Sequence, residues 1–137
     1  MRSITLAALL SLTSMATAQA CGSLAIVGTG APGTIMQVDV TGAQAGGVAM
    51  LVIGDTLGST TLPLPLGGSL ILGLAEPFFP LPVGEIDAAG AATTSIQLPS
   101  VLGPQILLNA QAVVFGFSLM PFGFSACASN LVPFTIG

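Results

Sequence analysis

Apolar residues recur at every second position over much of this chain, and that period predicts strands rather than helices. In residues 34–41, Met36, Val38 and Val40 share one face while Gln37, Asp39 and Thr41 share the other. In residues 91–98, Ala92, Ile96 and Leu98 oppose Thr93, Ser95 and Gln97, with Thr94 the single polar residue on the apolar side. In residues 105–114, Ile106, Leu108, Ala110, Ala112 and Val114 oppose Gln105, Asn109 and Gln111. Near the end, Val132, Phe134 and Ile136 alternate with Leu131, Pro133 and Thr135. Each of these segments predicts a strand with an inner and an outer face. Residues 48–53 (VAMLVI) are apolar on both faces and predict a central strand.

The joints agree with that reading. Asp87-Ala88-Ala89-Gly90 places Asp first and Gly fourth, the preference of a type I turn. It is expected to join residues 83–86 to the strand beginning at Ala91 as a hairpin. Gly28-Thr29-Gly30-Ala31-Pro32-Gly33 predicts a tight loop entering the second strand. Pro63, Pro65, Pro80, Pro82 and Pro133 are expected in edge strands or extended segments, where a missing N–H does little harm. All 18 Gly and all 10 Pro lie beyond residue 20, spread so that no long helix fits between them. The expected fold is all-β: a single antiparallel β-sandwich of about seven strands, immunoglobulin-like or related, over residues 21–137.

Residues 1–20 carry a different pattern. A short positive start (Met1, Arg2, Ser3), the apolar residues 4–12 and then small residues follow the plan of a cleaved secretory signal peptide. Ala16-Thr17-Ala18 and Ala18-Gln19-Ala20 are both suitable cleavage sites. Cys21 and Cys127, at opposite ends of the remaining chain, are expected to form one disulfide in an oxidising compartment. Such a bond closes a loop of roughly 100 residues, worth about 4–5 kcal/mol on the loop-entropy model. The rival is a lipoprotein signal with Cys21 acylated; Gln19 and Ala18 fit it poorly, and it leaves Cys127 without a partner.

Mean hydropathy is +1.00, so a membrane helix has to be weighed. Residues 101–124 are uncharged, but Pro104, Pro121, Asn109, Gln111 and the period-two alternation oppose a helix there. Residues 62–83 hold five prolines and Glu76. No transmembrane anchor is expected after the signal.

Composition removes most chemistries. The chain has one cation, five carboxylates, and no His, Trp or Tyr, and the cation is Arg2 in the signal segment. Nucleic-acid binding is excluded because nothing neutralises phosphates. Catalysis by His, Lys or Tyr and histidine-based metal sites fall by absence, and no cofactor is expected.

The loop Gly28-Thr29-Gly30-Ala31-Pro32-Gly33-Thr34, the Asp-x-x-Gly turn, the Gln-Ala-x-Val strand at 111–114 and the closing Ser129-Asn130-Leu131-Val132-Pro133-Phe134-Thr135-Ile136-Gly137 go together. The set resembles a group of secreted domains common in predicted planctomycete proteins, and covers nearly all of residues 21–137. Members often have Cys where Ala31 stands and carry more aromatic residues. The resemblance implies a secreted β-domain and no particular chemistry.

Three features are candidates for a site. The Gly-rich loop lacks the Lys of a phosphate-binding loop and precedes a strand, so a tight turn is expected. Glu85 and Asp87, two apart, are a weak Ca²⁺ candidate without a visible third ligand, and Asp87 already serves the turn. A hydrolase using carboxylates alone would need two acids facing one cleft. The phenylalanines cluster late, at Phe115, Phe117, Phe122, Phe124 and Phe134 after Phe78 and Phe79. Phe115-Gly116-Phe117 and Phe122-Gly123-Phe124 each set two rings on one face, as core packing or as an exposed docking patch.

Charged residues make up 4% of the chain, against roughly a quarter in an average protein. Charge is what keeps sheet edges and surfaces from associating. The expectation is a secreted (extracellular, periplasmic or cell-surface), non-enzymatic structural or interaction domain. Its partners are itself or other envelope proteins, with a glycan- or polymer-binding module as the alternative.

Overall fold

The computed structural model describes residues 22–65, 67–119 and 122–137. The predicted signal segment and Cys21 lie outside these residues, and so does the expected bond between Cys21 and Cys127. Nine strands and no helix are found among the described residues: β1 (Ser23–Val27), β2 (Ile35–Thr41), β3 (Val48–Gly54), β4 (Leu57–Pro63), β5 (Ser69–Leu74), β6 (Phe78–Glu85), β7 (Ala92–Gln97), β8 (Ile106–Leu119) and β9 (Phe122–Ile136). The protein is an all-β, antiparallel sandwich. A three-stranded sheet in the order β1-β2-β7 packs on a four-stranded sheet in the order β6-β3-β8-β9. The β4–β5 hairpin forms a third layer on the far side of the four-stranded sheet. With that hairpin set aside, the other seven strands in chain order are first-second-fifth in one sheet and fourth-third-sixth-seventh in the other.

The alternation read from the sequence builds the main core. Met36, Val38 and Val40 are buried while Gln37 and Thr41 point outward, and Asp39 on that outer face accepts hydrogen bonds from Gln37 and Thr93. Val38 and Val40 meet Ala49, Leu51 and Ile53 from β3 and Ala110, Ala112 and Val114 from β8. Leu108, Val132, Phe134 and Cys127 pack at the margin of the same cluster. β3 is central, as its sequence predicts: it lies between β6 and β8, and Val52 on its other face joins a second core. Proline falls on the edge strands of the four-stranded sheet, Pro80 and Pro82 on β6 and Pro133 on β9, as expected of a residue without an N–H.

Four expectations need correction. The turn at Asp87 forms, with Gly90 N–H donating to the Asp87 carbonyl at 3.0 Å, but it closes no hairpin. β6 pairs with β3 while β7 pairs with β2, so the turn carries the chain from one sheet to the other. Asn109 and Gln111 are not solvated, because the β4–β5 hairpin covers the face of β8 on which they lie. Ile106 is exposed, since it lies at the start of β8 beyond the last residue paired with β3. The strands number nine, because the hairpin over residues 57–74 adds two to the expected seven.

Candidate functional site

β8 and β9 are much longer than the strands beside them, and that length creates the most distinctive surface. Their pairing runs from Ile106↔Ile136 to Leu119↔Phe122, whereas β3 follows β8 only as far as Phe115. Residues 116–119 and 122–125 therefore pair only with each other and project as a two-stranded arm. Directly opposed residues of an antiparallel pair lie on one face. The register Phe115↔Ala126, Phe117↔Phe124 and Leu119↔Phe122 thus makes one face wholly apolar. The other face holds only Gly116, Ser118, Gly123 and Ser125.

The rings form a ladder along the apolar face. Phe115 and Phe124 lie 5.8 Å apart and tilted, and Phe117 and Phe122 lie 5.3 Å apart edge to face, both within the favoured range for aromatic pairs. Phe115 and Phe124 are half-buried at the foot of the arm. Phe117, Phe122 and Leu119 are 61%, 62% and 71% exposed. The late phenylalanines thus divide, Phe115 and Phe124 into packing at the foot of the arm and Phe117 and Phe122 onto its exposed length.

The ladder continues into a groove. Leu70, Leu72 and Leu74 of β5 pack on Val52 and Val113 to form the second core. The polar groups beneath are paired: Gly73 N–H donates to Gln111 Oε1 at 2.9 Å, and Gln111 Nε2 donates to the Ser129 carbonyl at 2.8 Å. Between the hairpin and the sheet a hollow of about 370 Å³ stays open, lined by Met50, Val52, Leu62, Leu64, Pro65, Phe78, Pro80, Phe115 and Phe124 among others. Among the described residues no charged side chain lines it. Sequence reading missed this groove because residues 57–63 lack apolar alternation. The signal available was Leu70, Leu72 and Leu74 at every second position.

The polar face of the arm borders a second hollow of about 430 Å³, lined by residues 42–47, Gly116, Ser125 and Cys127 among others. Among the described residues no charged side chain lines it. At the opposite end of the sandwich, Asp55 borders an apolar hollow of about 380 Å³ with Phe78, Phe79 and Ile106, and no second carboxylate borders it.

The carboxylates are dispersed. Asp39 lies on the outer face of the three-stranded sheet, Asp55 and Glu76 in connections, and Glu85 at the end of β6. Asp87 Oδ1 accepts from the N–H groups of Ala89 and Ala91, both at 2.9 Å. Among the described residues no three His, Cys, Asp or Glu side chains group as metal ligands would. Nor is any helix among them long and apolar enough to cross a membrane.

The Gly-rich loop has a structural role. Thr34 donates to the Ala31 carbonyl through both N–H and Oγ1, and the Gly30 carbonyl accepts from Gly137 N–H at 3.0 Å. The opening and closing motifs of the resemblance thus meet in space.

Comparison with protein-family models, with curated proteins and with solved structures found no match.

Proposed function

We propose that this protein is a secreted, non-enzymatic interaction domain that associates with its own kind, or with other envelope proteins, through the apolar arm and groove. The observation that carries this reading is the ladder of Phe115, Phe117, Phe122 and Phe124 on one face of a projecting hairpin, continuous with an uncharged groove. Soluble domains seldom leave so much contiguous apolar surface without a use for it. Association through sheet edges is less favoured than composition alone suggests, because Pro80, Pro82 and Pro133 guard both edges of the four-stranded sheet.

A non-catalytic role is supported by the dispersal of the acids and by the sequence, which past Arg2 offers no basic side chain. Export is supported by the pattern of residues 1–20. The Cys21–Cys127 bond is supported by placement: Gly22, next to Cys21, lies against the backbone of Thr41 and Ala43, and Ala43 and Cys127 border the same hollow. An immunoglobulin-related topology is supported by strand order. A constant-type domain has strands 1-2-5-4 over 3-6-7; here the fourth strand lies beside the third instead, and a hairpin is inserted between those two.

The test is light scattering on the purified, oxidised protein over a range of concentration and salt. Mass above the monomer, growing as salt screens the acids, supports the reading. A monomer under every condition, binding no other envelope protein, overturns it.

A further inference from the structure

Resting on that reading, we infer that the occupant of the apolar groove is the arm of a second copy of this chain, so that two copies close on each other about a twofold axis. One face of the molecule carries both parts of a self-complementary pair. The projection is the arm with its two exposed rings, Phe117 and Phe122, which touch edge to face at 5.3 Å. The recess is the groove beside it, about 370 Å³ in volume. A cavity of about 150 Å³ holds one benzene ring, so the recess has room for the two rings that the arm presents.

Position and charge agree with the fit. Phe115 and Phe124 belong to the groove wall and to the foot of the ladder at once, so the recess and the projection adjoin along the β8–β9 direction. A twofold axis near this row lays each arm over the other copy's groove, the isologous arrangement that closes rather than propagates. Neither surface carries charge, and the chain beyond Arg2 has no cation with which to bind an acidic partner. The contact is apolar against apolar. It should tighten with salt, since only the repulsion between two acidic molecules is screened.

The experiment uses two variants, one at the exposed rings and one at the partly buried Leu64 on the margin of the second core. F117S/F122S strips the arm, and L64E places a charge in the groove wall. Each is checked for native far-UV circular dichroism, then studied by sedimentation equilibrium with the wild type. The expected result is a wild-type dimer weakened by at least about 100-fold in each variant alone, the least expected on withdrawing two rings per subunit from apolar burial. An equimolar mixture should regain part of the affinity, because one intact arm then meets one intact groove. If F117S/F122S is monomeric while L64E dimerises like the wild type, the arms contact each other and the groove assignment falls, though association through the arm stands. If neither change alters an existing oligomer, both this inference and the proposed surface fall. A wild type that stays monomeric but sediments with phosphatidylcholine vesicles overturns the inference in favour of a lipid surface. As a readout independent of folding in the double variant, F117W supplies the only indole in the chain. Its emission should shift to the red on dilution, and an emission independent of concentration overturns the contact.

Discussion

The carboxamide of Asn130 closes both backbone hydrogen bonds of Leu24, a residue 106 positions away. Leu24 N–H donates to Asn130 Oδ1 at 2.8 Å, and Asn130 Nδ2 donates to the Leu24 carbonyl at 3.3 Å. A side chain thereby acts as one rung of a ladder between β1 and β9, which belong to different sheets. A β-bulge aims it: Gln111 pairs with Leu131 and Val113 with Ala128, so Ser129 and Asn130 together face Ala112 alone. Ser129 Oγ accepts from Ala112 N–H at 2.9 Å and occupies the gap in the ladder.

Asn130→Ala should therefore destabilise the fold by about 1–3 kcal/mol, because the two polar groups of buried Leu24 lose their partners. Asn130→Asp should cost a similar amount, since a carboxylate accepts from the N–H but cannot donate to the carbonyl. Urea unfolding measures both. An Asp variant as stable as the wild type would show that the bond to the carbonyl contributes nothing.

The two cores should separate under mutation. Leu51→Ala and Leu72→Ala each remove a fully buried side chain and should each cost about 2–5 kcal/mol. Leu51 lies between the two main sheets, whereas Leu72 holds the hairpin layer. Hydrogen exchange should show protection lost mainly in β4 and β5 for Leu72→Ala, and throughout β2, β3 and β8 for Leu51→Ala. Gln111→Leu should resemble the former, because it leaves Gly73 N–H and the Ser129 carbonyl unpaired.

Gly30 tolerates no side chain. Its φ is +78°, and a Cβ there would fall on the carbonyl oxygen of Thr135. Gly30→Ala should cost about 2–4 kcal/mol, from left-handed backbone strain and from displacement of the β9 backbone. Thermal unfolding tests this, with Gly103→Ala, where no atom lies within 4 Å of an added Cβ, as the mild control.

Asp87→Ala removes the acceptor of two backbone N–H groups at an exposed turn and should cost about 1 kcal/mol, whereas Asp87→Asn keeps an acceptor and should cost less. Equal losses for the two variants would point to the charge rather than to the hydrogen bonds.

Intact mass tests the covalent proposals. The exported protein should begin at Gln19 or Cys21 and gain about two hydrogens on reduction, one opened bond between Cys21 and Cys127. A mass raised by a diacylglyceryl group and a fatty acyl chain would replace the disulfide with a lipid anchor.

Much of the fold was legible because a half-buried strand leaves a period-two signature. Val38 and Val40 against Gln37 and Thr41, or Ala110 and Ala112 against Gln105, identify a buried face without reference to any neighbour. The site was half legible. The two Phe-Gly-Phe segments announce rings on one face of an extended chain, but not whether those rings meet a core. That depends on how far β3 accompanies β8, which is fixed by pairing between residues about 60 positions apart.

Gln111 marks the limit of such reading. A polar residue alternating with apolar ones predicts a solvated face, and one would expect water there if the sandwich had two layers. The β4–β5 hairpin adds a third and turns the same glutamine into a buried bridge between β5 and β9. The turn at Asp87 is similar: its four residues specify the bend, and the partners of β6 and β7 decide that it links two sheets.

What the sequence by itself determined is local: the strand period, the bends at Gly and Pro, and a chain that past Arg2 carries no basic group and so no chemistry that needs one. What only the tertiary structure decided is which faces are covered, which strands pair, and that the arm of β8 and β9 outruns its neighbours. The physical reason is that alternation and turn preference act over a few residues, whereas burial and pairing depend on segments far apart in the chain. The approach of Asn130 to Leu24, and of Gly30 to Gly137, is of the second kind.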